Sequence, residues 1–151
     1  MKRDAIKAEL ESIRKTHGGI LRAEDVVDRA TAKNNPLHDL FEWNDSAAAA
    51  EYRLWQARQI IRVTVGIIPG TEIKSRIFVS MMADRIEDDG GYRAMVDVLS
   101  DVERRALMLA EALDELNVFR RKYARLSELS KVFEAIEAIV PKPQKRKKQR
   151  A

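Results

Sequence analysis

The sequence predicts a mainly α fold: an N-terminal three-helix, helix-turn-helix-like unit, then a β-hairpin, then a long C-terminal helix. Three observations predict it. Apolar residues recur at three- and four-residue steps over 3–16, over 46–61 and, most persistently, from Asp101 onward. Between 63 and 82 the step shortens to two, the period of a half-buried strand. Gly18-Gly19, Asn34-Asn35-Pro36 and Pro69-Gly70 fall between these segments as turn signals. The expected divisions are 1–62, helical; 63–82, the hairpin; 83–140, a helical assembly region; and 141–151, a disordered basic tail.

In the first helix, over 3–16, Ile6, Leu10 and Ile13 form the apolar stripe. Asp4 in its first turn and Arg14 and Lys15 in its last suit the helix macrodipole, and Gly18-Gly19 stops it. The second, over 23–32, turns Val26, Val27 and Ala30 inward and ends before Pro36, which biases the preceding residue away from helix. The third is the centre of the unit. Asn44, Asp45 and Ser46 offer N-cap oxygens, and an alanine run follows. Ala47, Ala50, Leu54, Ala57 and Ile61 share one face, expected to be buried. Tyr52, Arg53, Gln56 and Gln59 share another, with Arg53 and Gln56 expected to face solvent; such side chains read base edges or grip phosphates. Leu37, Leu40, Phe41 and Trp43 are too apolar for a mobile loop, so the connector before this helix should be packed. At about a dozen residues it exceeds the three- or four-residue turn of a helix-turn-helix. It therefore holds a further turn of helix or joins the helices differently.

Val63, Val65 and Ile67, then Ile77, Val79 and Met81, predict the hairpin. Lys74 and Arg76 at its tip would meet phosphates if it acts as a wing; otherwise the hairpin only covers the helical core. Residues 83–91 read as an acidic loop and Tyr92 to Leu99 as a short helix, with Ser100-Asp101-Val102-Glu103 as a capping box. Thereafter Val102, Ala106, Leu109, Leu113, Leu116, Phe119, Tyr123 and Leu126 continue at helical steps as far as Ile139. Unbroken, about 39 residues would reach about 58 Å, and a helix of that length finds a partner. Self-association is expected through Leu109, Leu113, Leu116, Phe119 and Tyr123, with Ser127 and Ser130 marking a point of breakage.

The chemistry of an enzyme is not evident. Zero cysteines exclude disulfides, zinc-thiolate sites and cysteine nucleophiles. The glycine pairs are isolated, His17 and His38 lie in turn regions, and Asp84, Glu87, Asp88 and Asp89 match no metal-binding spacing. No cofactor, metal or catalytic residue is expected. There is no signal-peptide core and no run near the ~18 apolar residues of a membrane span, so a cytoplasmic protein without a membrane partner is expected.

The net charge of +4 is unevenly placed. Residues 141–151 hold six basic side chains and no acid, leaving −2 on the other 140 residues. Residues 1–80 carry 13 basic and 11 acidic side chains, net +2; residues 81–140 carry 9 and 13, net −4. The tail, with Lys145, Arg146, Lys147 and Lys148, has no apolar residue to bury and would bind polyanions with strong salt dependence.

The run Pro36-Leu37-His38-Asp39-Leu40-Phe41-Glu42-Trp43-Asn44-Asp45, with Tyr52-Arg53 and Gln56-Ala57-Arg58, resembles a group of small phage- and prophage-encoded proteins. So does Gly90-Gly91-Tyr92-Arg93 with Asp97-Val98-Leu99-Ser100-Asp101. The resemblance spans roughly residues 18–137 and implies a phage context, without an established activity or site. The order of segments is also similar to that of small terminase subunits, from which the hairpin and the long connector depart. The expectation is an oligomeric, non-enzymatic DNA-binding protein using Tyr52, Arg53, Gln56, Gln59, Lys74, Arg76 and the tail. The alternative is a protein–protein adaptor in which Tyr52, Trp55 and the hairpin dock a protein partner.

Overall fold

The computed structural model describes residues 2–43, 46–87 and 90–139. The fold is mainly α, and the chain divides into two compact units, Met1–Arg105 and Ala106–Ala151.

In the first unit, α1 (Lys2–Thr16) buries Leu10 and Ile13, as its spacing predicts. Gly18 and Gly19 take φ of 66° and 88°, and the Gly19 N–H donates to the Arg14 carbonyl at 2.9 Å, closing the helix end. A two-residue strand, β1 (Ile20–Leu21), leads into α2 (Ala23–Ala30). The connector is packed. It contains a 3-10 turn, His38–Leu40; Leu37 and Phe41 are buried, and Leu40 and Trp43 lie against the core. The Trp43 indole N–H donates to the His38 carbonyl at 3.0 Å and its ring stacks on the imidazole. The link from α2 to the next helix is thus a packed layer and not the tight turn of a helix-turn-helix. In α3 (Ala47–Val63) the Ser46 hydroxyl accepts from the Ala49 N–H at 3.2 Å, the cap the sequence predicts; Asn44 and Asp45 lie outside the described residues. Ala57 and Ile61 of α3 join Leu10, Ile13, Leu21, Val26 and Leu37 in one core.

The 63–82 segment differs from the expected hairpin. Strands β2 (Val65–Ile67) and β3 (Lys74–Arg76) do pair antiparallel, with Val65 opposite Arg76. The chain then leaves the hairpin. β4 (Phe78–Val79) pairs with β5 (Tyr92–Ala94), which also pairs with β1, giving the order β1-β5-β4. Ile77 and Phe78 are adjacent and both buried, so an alternating, one-sided strand cannot run through them. The acidic 83–91 segment is partly helical, α4 (Met82–Glu87), and the helix expected from Tyr92 begins later, as α5 (Met95–Ser100). Strand pairing claims Tyr92–Ala94, a segment too short to show alternation. Asp84 is buried because Arg93 grips both carboxylate oxygens, its Nε at 2.8 and 2.9 Å.

The predicted long helix is present, and the chain breaks after it, close to the Ser127 and Ser130 positions that the sequence marks. Asp101 caps α6 (Val102–Tyr123), accepting from the Arg104 N–H at 2.8 Å, one residue later than a Ser100 cap would place it. After Tyr123 the chain turns, passes a 3-10 turn at Ser127–Leu129 and resumes as α7 (Ser130–Ile139). In the second unit α7 lies along the end of α6. Phe119 meets Phe133 with ring centroids 6.4 Å apart, and Arg120 pairs with Glu137 at 2.6 Å. Residues 141–151, the expected disordered tail, lie outside the described residues. Among the described residues, no helix is long and apolar enough to cross a membrane.

Candidate nucleic-acid interface

Helix α3 positions two different polar faces. The first is not what its sequence predicts. Arg53 and Gln56 are half-buried against the connector. The Gln56 amide donates to the Leu40 carbonyl and accepts from the Glu42 N–H, both at 3.3 Å. Arg53 donates to the Glu42 carbonyl at 3.1 Å, with its guanidinium 5.5 Å from the Trp43 ring centroid. The irregular backbone of the connector has no ladder partner for these groups, and a carboxamide can satisfy a donor and an acceptor together. The expectation that Arg53 and Gln56 face solvent is therefore corrected. The buried face is widened toward them: Ala57 and Ile61 are buried and Leu54 partly buried, as predicted, but Ala49 is buried as well and Ala50 is exposed, and the Ala47 side chain lies outside the described residues.

The second face holds Tyr52, Trp55, Arg58, Gln59 and Arg62. Tyr52 and Trp55 are 48% and 51% exposed and stack on one another, centroids 5.6 Å apart and planes within 14°. One and two turns further along, Arg58 and Arg62 enter the wall of a cleft of about 230 Å³.

The cleft gathers arginines from two helices of the first unit and from the residue that precedes a third. Arg58 and Arg62 come from α3, Arg85 from α4, and Arg22 precedes α2. Arg22 takes an extended conformation at the N-cap position, where its side chain makes no cap hydrogen bond. The first residues of α2, Ala23 and Glu24, line the cleft, so the positive end of that helix faces it. Arg62 Nε donates to the Tyr92 hydroxyl at 3.1 Å. Among the described residues none of the four guanidinium groups pairs with a carboxylate. Among the described residues of the lining, Glu24 is the one carboxylate against four arginines. Such a wall suits an oxyanion held by planar N–H forks.

No protein-family model, curated protein or solved structure matches this chain.

The structure separates the residues that the sequence singles out. Gln59 stays on the Tyr52/Trp55 face, whereas Arg53 and Gln56 do not. Lys74 and Arg76 are exposed on β3, and neither lines the cleft. Lys145, Arg146, Lys147 and Lys148 lie outside the described residues. On α6, Leu109, Leu116 and Phe119 are exposed, and Leu113 and Tyr123 are half-buried. Sequence reasoning missed Arg22, Arg58, Arg62 and Arg85. The i, i+4 pair Arg58 and Arg62, one turn beyond Trp55, was a readable signal. Arg22 and Arg85 join them only through tertiary packing.

Proposed function

We propose that this is a non-enzymatic, self-associating nucleic-acid-binding protein of phage or prophage origin, with DNA as its partner. The arginine cleft carries the proposal. Four guanidinium groups around one concavity, without carboxylate partners among the described residues, repel one another unless an anion enters. Phosphates of a nucleic-acid backbone are the anions such forks fit. The basic tail adds sequence-independent affinity. Because Arg53 and Gln56 hold the connector, phosphate contact in the cleft replaces base reading by those two residues as the main source of affinity. The exposed apolar side chains of α6 support self-association, and the resemblance of the 36–45 and 90–101 segments supports a phage setting.

A salt series with random-sequence DNA tests the reading. Affinity should fall linearly with salt on logarithmic axes. Arg58→Ala/Arg62→Ala should weaken binding and flatten that slope by about two, one unit for each phosphate left without its arginine. A folded double variant with native affinity and native slope rejects the cleft as the DNA site.

A further inference from the structure

We propose that the nucleic acid held here is single-stranded, with bases stacked on the Tyr52/Trp55 pair and phosphates in the arginine cleft; this rests on the nucleic-acid reading above. Tyr52, Trp55, Arg58, Gln59 and Arg62 fall within a third of the circumference of α3, from the rotation of each residue about the axis. Arg58 lies about 4.5 Å, and Arg62 about 10.5 Å, along the axis from Trp55. An aromatic platform and a cationic cleft thus sit in line on one helix.

Each half of that line has a ligand. Two stacked rings, both about half exposed, present aromatic surface to water. A base can cover them only if it has left its own stack, and every base has a face to offer. A duplex keeps its bases stacked inward and presents a stiff, convex backbone. A single strand can lay a base on Trp55 and bend its phosphates into a concave wall. Of the residues that the sequence offers as base readers on this helix, Arg53 and Gln56 hold the connector, which leaves Tyr52 and Gln59 on the exposed face. Recognition is accordingly tolerant of sequence and selective for unpaired strands. Exposed Tyr and Trp also serve as anchors for protein partners. The adjoining arginines favour the polyanion.

The test uses the full chain, with a labelled oligothymidylate and a hairpin duplex of equal charge as probes. The native chain should bind the oligothymidylate more tightly. Tyr52→Ala/Trp55→Ala should lower that affinity at least about five-fold while changing duplex affinity less than about two-fold. Phe at both positions should restore most of the loss. Arg58→Ala/Arg62→Ala should weaken both probes. Oligothymidylate should also quench Trp emission in the native chain but not in a Trp55→Phe chain, an observation that needs no alanine variant to fold. Equal affinity for both probes, unaffected by removal of the aromatic pair but sensitive to the arginines, overturns the single-strand inference and leaves the nucleic-acid reading intact. Insensitivity to the arginines overturns the nucleic-acid reading itself. Unchanged oligothymidylate binding by the aromatic double variant assigns Tyr52 and Trp55 to a protein partner.

Discussion

Gly91 shows how single residues fix the cleft. Its φ is +127°, and a Cβ there would lie 2.6 Å from Cγ2 of Ile20, so both backbone conformation and space demand glycine. The 90–91 backbone can then run against β1 while forming part of the cleft wall. Gly91→Ala should destabilise the first unit by at least about 1–3 kcal/mol, the cost of a strained φ before any clash. A urea midpoint unchanged from the native chain would count against this. Asp84 acts nearby for a different reason. It is buried, and its two oxygens take a fork from Arg93, tying α4 to β5. Replacing the Asp84 carboxylate by an amide removes the charge that receives the Arg93 fork at a buried position. Asp84→Asn should cost about 3 kcal/mol by the same urea measurement.

At the scale of elements, α1, α2 and the connector are joined by Glu9. Its carboxylate accepts from Arg29 Nε and from the Asn35 amide, both at 2.8 Å. Burial pushes this carboxyl up, but the hydrogen bonds from Arg29 and Asn35, with the Arg29 charge, outweigh it and hold the group below the usual glutamate range. A lowered folded-state value gives stability that is present in full above the ordinary glutamate range and is lost as pH falls through the folded value. Glu9→Gln should therefore be less stable than the native chain at neutral pH, by about 1 kcal/mol, and the difference should shrink on acidification. Parallel urea titrations at neutral and acid pH measure it; a constant difference would rule out the linkage. The helices of this unit were legible because burial follows a 3.6-residue period, as Leu10 and Ile13 show. The cap at Ser46 and the packed connector were legible for local reasons, hydroxyl chemistry and apolar content. The three-stranded sheet was not. β1, β4 and β5 are two or three residues long, and their partners lie far away in sequence, so no local pattern marks them. The same long-range pairing brings Arg22 and Tyr92 to Arg58 and Arg62. For that reason the cleft was hidden although half of its cations lie on a helix that was expected.

For the molecule as a whole, assembly is the quantity to measure. A continuous C-terminal helix would have argued for a partner by its length alone; α6 ends at Tyr123, so length no longer carries that expectation. What remains is uncovered apolar surface. Leu109 and Leu116 stand two turns apart on α6 and are 57% and 37% exposed, with Leu113 between them half-buried. Within the second unit α7 brings Phe133 to Phe119 and Glu137 to Arg120, near the end of α6. Leu109, Leu116 and Tyr123 recur every seven residues, the spacing that keeps one seam turned toward a second helix. A second copy of this chain offers the same seam, and covering the exposed part of each leucine would contribute about 1 kcal/mol. Light scattering at micromolar concentration should find the native chain at least dimeric. Leu109→Gln/Leu116→Gln should be monomeric with native helix content, because both side chains are already exposed in the single chain. Glutamine avoids an unpaired charge, so failure to assemble would not be confused with unfolding. A native chain that is monomeric under these conditions would sink self-association while leaving the arginine cleft untouched, since its lining residues all belong to the first unit.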